Sequence, residues 1–343
     1  MKLIVQIPCL NEAKTLPLVF ENMPHALPGI DSIEFLVIDD GSTDGTPEVA
    51  RRLGVHHIVR HTRNMGLGQS FHDGALKALE LGADILVNTD GDNQYPSDRI
   101  ADLVQPVLEG RADIVVADRQ TDRISHFSPL KKRLQRIGSS VVNKAAGTEL
   151  PDAASGFRAY SREALLRINP VTRFSYTLET IIQAGNKRLA LTSIPIETNG
   201  KTRESRLFRH PGEHVFKSAA TIIRAYIMYQ PMVLFATFGA ALFVLALIPF
   251  VRFLVLFFFT TRSGGTHNIQ SLVAGAVLMI GSLLSFALAV IADMIRINRV
   301  LIEDSLELAK RRHFQGDLDS ELNSVDGAGV GDATWAMPAH DRV

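Results

Sequence analysis

The chain predicts an α/β domain built on a mostly parallel sheet, followed by a hairpin of two long apolar helices. Three observations carry this. Short apolar runs alternate with helical patterns over residues 1–210, polar clusters follow the ends of those runs, and residues 231–295 are almost wholly apolar. Apolar strands spaced by helices belong to a sheet covered on both faces.

Taken in order, residues 3–7 read as a buried strand and 14–23 as a helix. A second strand, 34–38, ends in Asp39-Asp40-Gly41-Ser42. Helix 46–53, strand 55–60 and helix 68–81 follow. Strand 84–88 leads into Thr89-Asp90-Gly91-Asp92, then helix 96–109 and strand 114–117. In such sheets ligands bind beyond the carboxyl ends of the strands. The clusters 8–12, 39–44, 90–94 and 118–119 all fall there, so they predict one site along one edge.

Composition bounds the chemistry. Of 343 residues, 46% are hydrophobic and 21% charged, which excludes a disordered or collagen-like chain. Lys plus Arg equals Asp plus Glu, 36 each, so no positive surplus exists for general nucleic-acid binding. The single cysteine, Cys9, excludes a disulfide framework and a cysteine-based zinc site. The first residues, MKLIVQIPCLNE, do not read as a signal peptide, because Gln6 and Pro8 break a short apolar run.

Two stretches, 233–251 with 19 residues and 269–292 with 24, carry no charge. A membrane span needs about 20 apolar residues, so both qualify; a pair of buried core helices is the other reading of such runs. Pro249 and Arg252 sit near the end of the first, and residues 253–259 prolong it. Lys217 and Arg224 precede the pair, and Arg296, Arg299, Lys310, Arg311 and Arg312 follow it, whereas the connector 260–268 holds only Arg262. The positive-inside rule then places both flanks, and so both termini and the large N-terminal part, in the cytosol. Between domain and spans, Val215, Phe216, Ala219, Ile222, Ile223 and Tyr226 fall on one side of a helical pattern over 213–230, suited to the membrane surface. From residue 315 onward Gly, Asp and Ser dominate and disorder is expected. The expected division is 1–210 for the domain, 211–230 interfacial, 231–295 spanning, and 296–343 a cytosolic basic segment and tail. Nothing in the sequence fixes whether copies associate as a homo-oligomer.

The site's chemistry follows from what is missing and what is present. Gly66-Leu67-Gly68-Gln69-Ser70-Phe71 lacks the third glycine of a dinucleotide fingerprint, and no Gly-x4-Gly-Lys-Ser/Thr loop occurs. The edge is lined instead with carboxylates, which need a cation between themselves and any phosphate. Asp90 and Asp92, with Gln94 beyond, supply hard oxygen ligands for Mg²⁺ or Mn²⁺. Farther on, Leu130, Leu134, Ile137 and Val141 form an apolar helical stripe, with Lys132, Arg133, Arg136 and Ser140 on the other side. Arg136 and Ser140, four apart, are helix neighbours that suit a phosphate. A solvated basic face is the alternative. Residues 126–129 read as a loop.

These motifs resemble the inverting glycosyltransferases of family 2, with the GT-A fold: Asn11-Glu12, Asp39-Asp40-Gly41-Ser42-Thr43-Asp44, Arg63-Asn64-x-Gly66 and Asp90-x-Asp92-x-Gln94. Ser155-Gly156-Phe157-Arg158, Ser205-Arg206-Leu207 and the two-span hairpin resemble the membrane-anchored branch that charges polyprenyl phosphate, such as dolichyl-phosphate mannose synthase and its bacterial relatives. The resemblance implies that Pro8, Asn11, Glu12, Asp39 and Asp40 hold the base and ribose of a GDP- or UDP-hexose. It gives Asp90, Asp92 and Gln94 the metal and diphosphate. Lys201, Arg203, Ser205 and Arg206 match a basic loop near that diphosphate. Arg119 matches a phosphate-binding arginine, and Arg136 and Ser140 the pair that grips the lipid phosphate. Asp92, Arg119 and Arg136 would then carry the catalytic step. The chain departs from the pattern at Leu10, where a tyrosine is usual, and at Arg203-Glu204-Ser205-Arg206, where the mannose synthases have Gly-Glu-Ser-Lys.

A phosphate monoester, with a second pKa near about 6, reaches the site as an anion and needs no general base. The Thr-Glu-Asp base motif of sugar-acceptor enzymes is absent, Thr177-Leu178-Glu179 being the nearest match. The Gln-x-x-Arg-Trp of processive synthases is absent too; the only tryptophan is Trp335. Transfer to polyprenyl phosphate with inversion is therefore the expected function. A membrane-tethered nucleotidyltransferase and a non-catalytic membrane scaffold are the alternatives.

Overall fold

The computed structural model describes residues 1–121, 129–170, 176–200, 227, 230–259 and 269–326. Seven strands form one sheet: β1 (Lys2–Cys9), β2 (Ser32–Asp39), β3 (His57–Arg60), β4 (Ile85–Asn88), β5 (Ile114–Asp118), β6 (Arg158–Ser161) and β7 (Leu191–Pro195). Their order is β3-β2-β1-β4-β6-β5-β7. All pairings are parallel except the two made by β6. The domain helices are α1 (Leu16–Glu21), α2 (Thr46–Arg52), α3 (Leu67–Glu80), α4 (Ile100–Leu108), α5 (Pro129–Ala146), α6 (Arg162–Arg167) and α7 (Tyr176–Asn186).

Alternation along the strands builds two cores, one on each face of the sheet. Ile4, Leu36, Leu86 and Tyr160 join Phe71 of α3 and Ile181 of α7 on one face. Leu3, Val5, Val37 and Val87 join Leu103 and Val104 of α4 on the other. The five expected strands are present with shifted ends, and α/β with a mostly parallel sheet holds. The sequence reading missed β6 and β7. Their segments, RAYS and LTSIP, are short and carry neither a continuous apolar run nor a clean alternation.

The buried face of α5 also differs from expectation. Ser139, Val142, Ala145 and Ala146 face the domain, while Ile137 is 46% exposed, on the same side as Arg133, Arg136 and Ser140. Gly138 and Ser139 are buried, whereas the larger apolar Ile137 faces outward. Behind it, α7 approaches through Gly185, where a Cβ would lie 2.0 Å from the Ala146 carbonyl oxygen.

Two further helices, α8 (Pro231–Phe259) and α9 (Ile269–Asp326), are each long and apolar enough to cross a membrane. They are not core helices: Val244, Ile248 and Leu283 are each more than 60% exposed. They pack on one another through small residues, as spans do. Ser282 Oγ donates to the Gly239 carbonyl (2.8 Å) and Ser285 Oγ to that of Phe235 (2.9 Å). A Cβ on Gly275 would press the Phe250 ring at 3.0 Å. Helix α9 runs on unbroken past residue 295. It continues to Asp326, and its stretch 296–314 lies along α6 and α7. The expected interfacial helix over 213–230 lies outside the described residues apart from Ile227 and Gln230, as does residue 327 onward.

Candidate functional site

The strand order reverses between β1 and β4, and the crevice at such a switch point is where α/β sheets bind ligands. The turn after β4 packs directly on the chain after β1. A Cβ on Gly91 would meet Cys9 Sγ at 3.0 Å, Glu12 Cγ at 3.2 Å and the Pro8 carbonyl oxygen at 3.4 Å. Pro8, Glu12, Asp90 and Asp92 are thus brought together as expected. The loops after β1 and β2 are stitched to each other. Asn11, at φ +57°, accepts from the Thr43 amide through Oδ1 (2.8 Å), and its own amide donates to Ser42 Oγ (2.9 Å). The Glu12 amide donates to Thr46 Oγ1, and the Glu12 carboxylate accepts from Thr15 Oγ1 at 2.6 Å.

Asp39 and Asp40 differ in their surroundings. Asp39 is fully buried; Oδ1 accepts from the Ser42 amide, while Oδ2, 3.2 Å from Arg60 Nε, has no hydrogen bond. Asp40 accepts from the Met65 and Gly66 amides (2.7 and 2.9 Å) and meets His61 Nδ1 at 2.7 Å; His61 Nε2 lies 3.0 Å from Asp73. The Arg63-Asn64-x-Gly66 segment is therefore held against β2 by Asp40. Gly41, at φ +79°, makes room for it: a Cβ there would sit 2.7 Å from the Arg63 carbonyl carbon. His61 and Asp73 were missed by sequence reasoning, since neither belongs to a motif.

The antiparallel β6 starts at the edge where the parallel strands end, which delivers Ser155-Gly156-Phe157 to the site. A Cβ on Gly156 would lie 3.3 Å from Tyr176 Oη and 3.5 Å from both carboxylate oxygens of Asp90. Asn88 Nδ2 donates to the Gly156 carbonyl and to Tyr176 Oη, both at 2.9 Å. The Tyr95 hydroxyl accepts from the Gly156 amide, and the Tyr95 ring stacks on Phe157. Burial first, then the charge of Asp90, pushes the Tyr176 phenol well above its ordinary range, so it stays neutral.

Asp92 Oδ1 accepts from the Gln94 amide (3.1 Å), and Asn199 ties this turn from outside, its amide donating to the Gln94 carbonyl and its Nδ2 to that of Asn93. Among the described residues, no three His, Cys, Asp or Glu side chains gather as a ready-made metal cluster. Asp90, Asp92 and Gln94, two carboxylates and an amide on one turn, are nevertheless hard oxygen donors of the kind that would hold a divalent ion.

Arg119, at the end of β5, has a partner that sequence reasoning missed. Its Nε and Nη2 form a fork on Asp152 at 2.6 and 3.0 Å. Burial opposes both charges. Tyr95 and Asp152 nevertheless keep the guanidinium's pKa raised, and Arg119, by charge and hydrogen bonds, keeps the Asp152 carboxyl below the usual carboxylate range. Because the folded pKa of Asp152 is depressed, its stabilisation is complete above about pH 4 and is lost as pH falls through the folded value. Asp152→Asn is expected to lower stability by about 2 kcal/mol, read as a lower unfolding temperature in detergent at pH 7. That loss should shrink on acidification.

The loop bearing Asp152 touches α5, where Ser139 Oγ accepts from the Ala153 amide. On the outer face of α5 lie Arg136 and Ser140. At its C-terminal end the Lys144 carbonyl accepts from Gln230, next to Pro231 where α8 begins. Glu179 is no part of this edge; it is buried on α7 and pairs with Arg299 of α9 at 2.6 Å. Lys201, Arg203, Ser205 and Arg206 lie outside the described residues, as do residues 122–128 of the loop before α5.

The comparisons agree with this architecture. The profile of glycosyl transferase family 2 matches residues 4–168. A UDP-N-acetylglucosamine–dolichyl-phosphate N-acetylglucosaminyltransferase of Methanococcus voltae is 30% identical over 56% of this chain and 83% of its own length. A polyprenol monophosphomannose synthase of Mycolicibacterium smegmatis is 27% identical over 56% of this chain and 76% of its own. Glucosyl-3-phosphoglycerate synthase of Mycobacterium tuberculosis, solved with Mn²⁺, UDP and phosphoglyceric acid, superposes with a TM-score of 0.50 at 21% identity, covering 66% of this chain and 77% of that one. The profile match over residues 4–168 and the 30%-identical relative covered over 83% of its length, on a chain whose sheet carries a carboxylate-lined edge at the β1–β4 switch point, show that this chain is a glycosyltransferase, a member of glycosyl transferase family 2.

Proposed function

We propose that the chain transfers a hexose from a nucleotide sugar to a polyprenyl phosphate, with inversion, at the cytosolic face of a membrane crossed by α8 and α9. The observation that carries this reading is the position of the outer face of α5. Its exposed Arg133, Arg136, Ile137 and Ser140 combine cations, a hydroxyl and an apolar side chain, and the helix ends against Gln230, where the first apolar helix starts. Such a face suits a phosphate carried on a lipid. The two curated relatives described above act on lipid phosphates by name, which points the same way.

In this reading the nucleotide lies across Pro8–Glu12 and Asp39. The buried Asp39 Oδ2, which pairs with Arg60 at 3.2 Å but accepts no hydrogen bond, suits an N–H donor of a GDP or UDP base. Asp40 acts at one remove by holding the 63–66 segment. Asp90, Asp92 and Gln94 face the diphosphate, and a divalent ion bound there, Mg²⁺ or Mn²⁺, would offset charge on the departing nucleoside diphosphate. Lys201, Arg203 and Arg206 would approach the same diphosphate. Arg119, held rigid by Asp152, and Arg136 with Ser140 orient the lipid phosphate. One of its oxygens attacks the anomeric carbon, the bond to the diphosphate breaks, and the electron pair leaves with it. The acceptor is already anionic, so the residues supply position and charge rather than proton removal.

The test uses the purified full chain in nanodiscs with Mg²⁺ or Mn²⁺, undecaprenyl or dolichyl phosphate, and a panel of UDP- and GDP-hexoses. Lipid-linked sugar with release of nucleoside diphosphate is the expected result. Pyrophosphate release would identify a nucleotidyltransferase, and no turnover of any sugar nucleotide would leave a binding scaffold.

A further inference from the structure

Beyond the apolar run that ends at Ala292, α9 continues as a helix, and Arg299 follows about 10 Å farther along at a rise of 1.5 Å per residue. From there α9 lies parallel to α7 with a fixed offset. Arg299 Nη2 meets Glu179 Oε1 at 2.6 Å, Glu303 lies 3.5 Å from Gln183 Nε2, and Glu307 pairs with Lys187 at 3.1 Å. Each partner is four residues beyond the last on both segments, so the contacts recur once per turn along one face. One turn farther, Arg311 forks onto Glu163 of α6 at 2.5 and 3.0 Å. Lys310 Nζ donates to the Leu165 and Ile168 carbonyls at the end of that helix, and Arg162 Nη2 donates to the Phe314 carbonyl.

A helix held at four successive turns is a strut, not a tether. Its anchor is also close to the chemistry. Glu179 stands one turn along α7 from Tyr176, and Tyr176 Oη accepts from Asn88 and stands against Gly156 beside Asp90. The second span and the carboxylate edge are thus joined through one short helix. A membrane-embedded acceptor presents its phosphate at the depth of the headgroups. An attacking oxygen must come within about 3–3.5 Å of its target, so orienting the domain in advance removes an entropic cost from every encounter.

We infer that the segment 296–314 is a positioning strut: Arg299, Glu307 and Arg311 hold the catalytic edge at a fixed height and tilt over the bilayer, and so serve turnover of membrane-embedded acceptor specifically. This rests on the polyprenyl-phosphate reading above. A merely structural role would depress all activities alike. A strut discriminates by whether the acceptor is anchored.

The experiment compares the full chain with R299Q and with E307Q, which leaves the buried Glu179 carboxylate paired. Each is assayed in nanodiscs against a long-chain polyprenyl phosphate and against a short, water-soluble prenyl phosphate, with nucleotide-sugar affinity measured alongside as a check on folding. Expected is at least a tenfold loss of kcat/KM for the long-chain acceptor, with the short-chain value and the nucleotide affinity within about twofold of the unmutated protein, by the proximity argument. Equal losses on both acceptors, or no loss on either, in the variant that retains nucleotide affinity overturn the strut. If the unmutated chain turns over neither phosphate, the functional reading fails and takes this inference with it. If both variants lose nucleotide affinity, the segment holds the domain's fold rather than its height, and the inference is overturned.

Discussion

Asp92→Ala is expected to reduce sugar transfer on the order of 10³-fold, about 4 kcal/mol of transition-state stabilisation. Two losses combine. The substitution removes one of the two carboxylates on the turn after β4, halving the negative charge available to a divalent ion. It also removes the acceptor for the Gln94 amide, so the turn that presents Gln94 loses its internal brace. Asp92→Asn separates the two, because an amide oxygen preserves the turn but not the charge. It should fold like the unmutated chain and still lose most activity, with added Mn²⁺ restoring part of it. Nucleoside diphosphate release at constant nucleotide sugar, scanned over metal concentration, is the measurement. Undiminished turnover in Asp92→Ala would sink the assignment of a metal to this turn.

Arg158→Met should be the most damaging substitution for stability. Arg158 is fully buried and spends its guanidinium on four neutral acceptors, the carbonyls of Ala153, Ser155 and Thr177 and the hydroxyl of Thr180, each at 2.8 Å. Methionine fills much of the volume but takes the side-chain donor from the Ala153 and Ser155 carbonyls, at about 1–3 kcal/mol each before relaxation, while the Thr177 carbonyl keeps its bond from Thr180 Oγ1. A net loss of about 4 kcal/mol corresponds to a fall of roughly 10 °C in unfolding temperature for a domain of this size. Activity should vanish below that temperature as well, because Arg158 clamps to α7 the loop that carries Asp152 and Gly156, and with them Arg119 and Asp90. Arg158→Lys offers one ammonium in place of a planar fork and should recover little. Thermal unfolding in detergent, with turnover measured well below the transition, checks both parts. An unchanged transition would show that the clamp carries no load.

Arg158 also shows where reading the sequence stopped. The Ser155-Gly156-Phe157-Arg158 motif was visible, but its physical meaning was not. Nothing in the four letters says that the arginine points into the interior, or that the glycine stands against the Tyr176 hydroxyl with Asp90 beside it. Asp152 was invisible for a related reason: an isolated acidic residue in a turn has no periodicity or spacing to mark it, and its role exists only once β5 brings Arg119 alongside. Ile137 was misread because helical spacing reports that apolar residues share a side, not which side is covered. The same limit hid β6, whose burial comes from being sandwiched between β4 and β5 rather than from an apolar run.

By itself the sequence determined the alternation of strand and helix, the carboxylate clusters at the strand ends, and two uncharged stretches long enough to span a membrane. These are local properties, set by side-chain period and by runs of residues that water does not favour. The tertiary structure alone decided that β6 enters antiparallel and carries Gly156 to Asp90, that Asp152 takes the fork of Arg119, and that Glu179 answers Arg299 rather than a substrate. Each joins residues distant in the chain, where burial, close packing and the pairing of charges act between elements whose meeting no local pattern encodes.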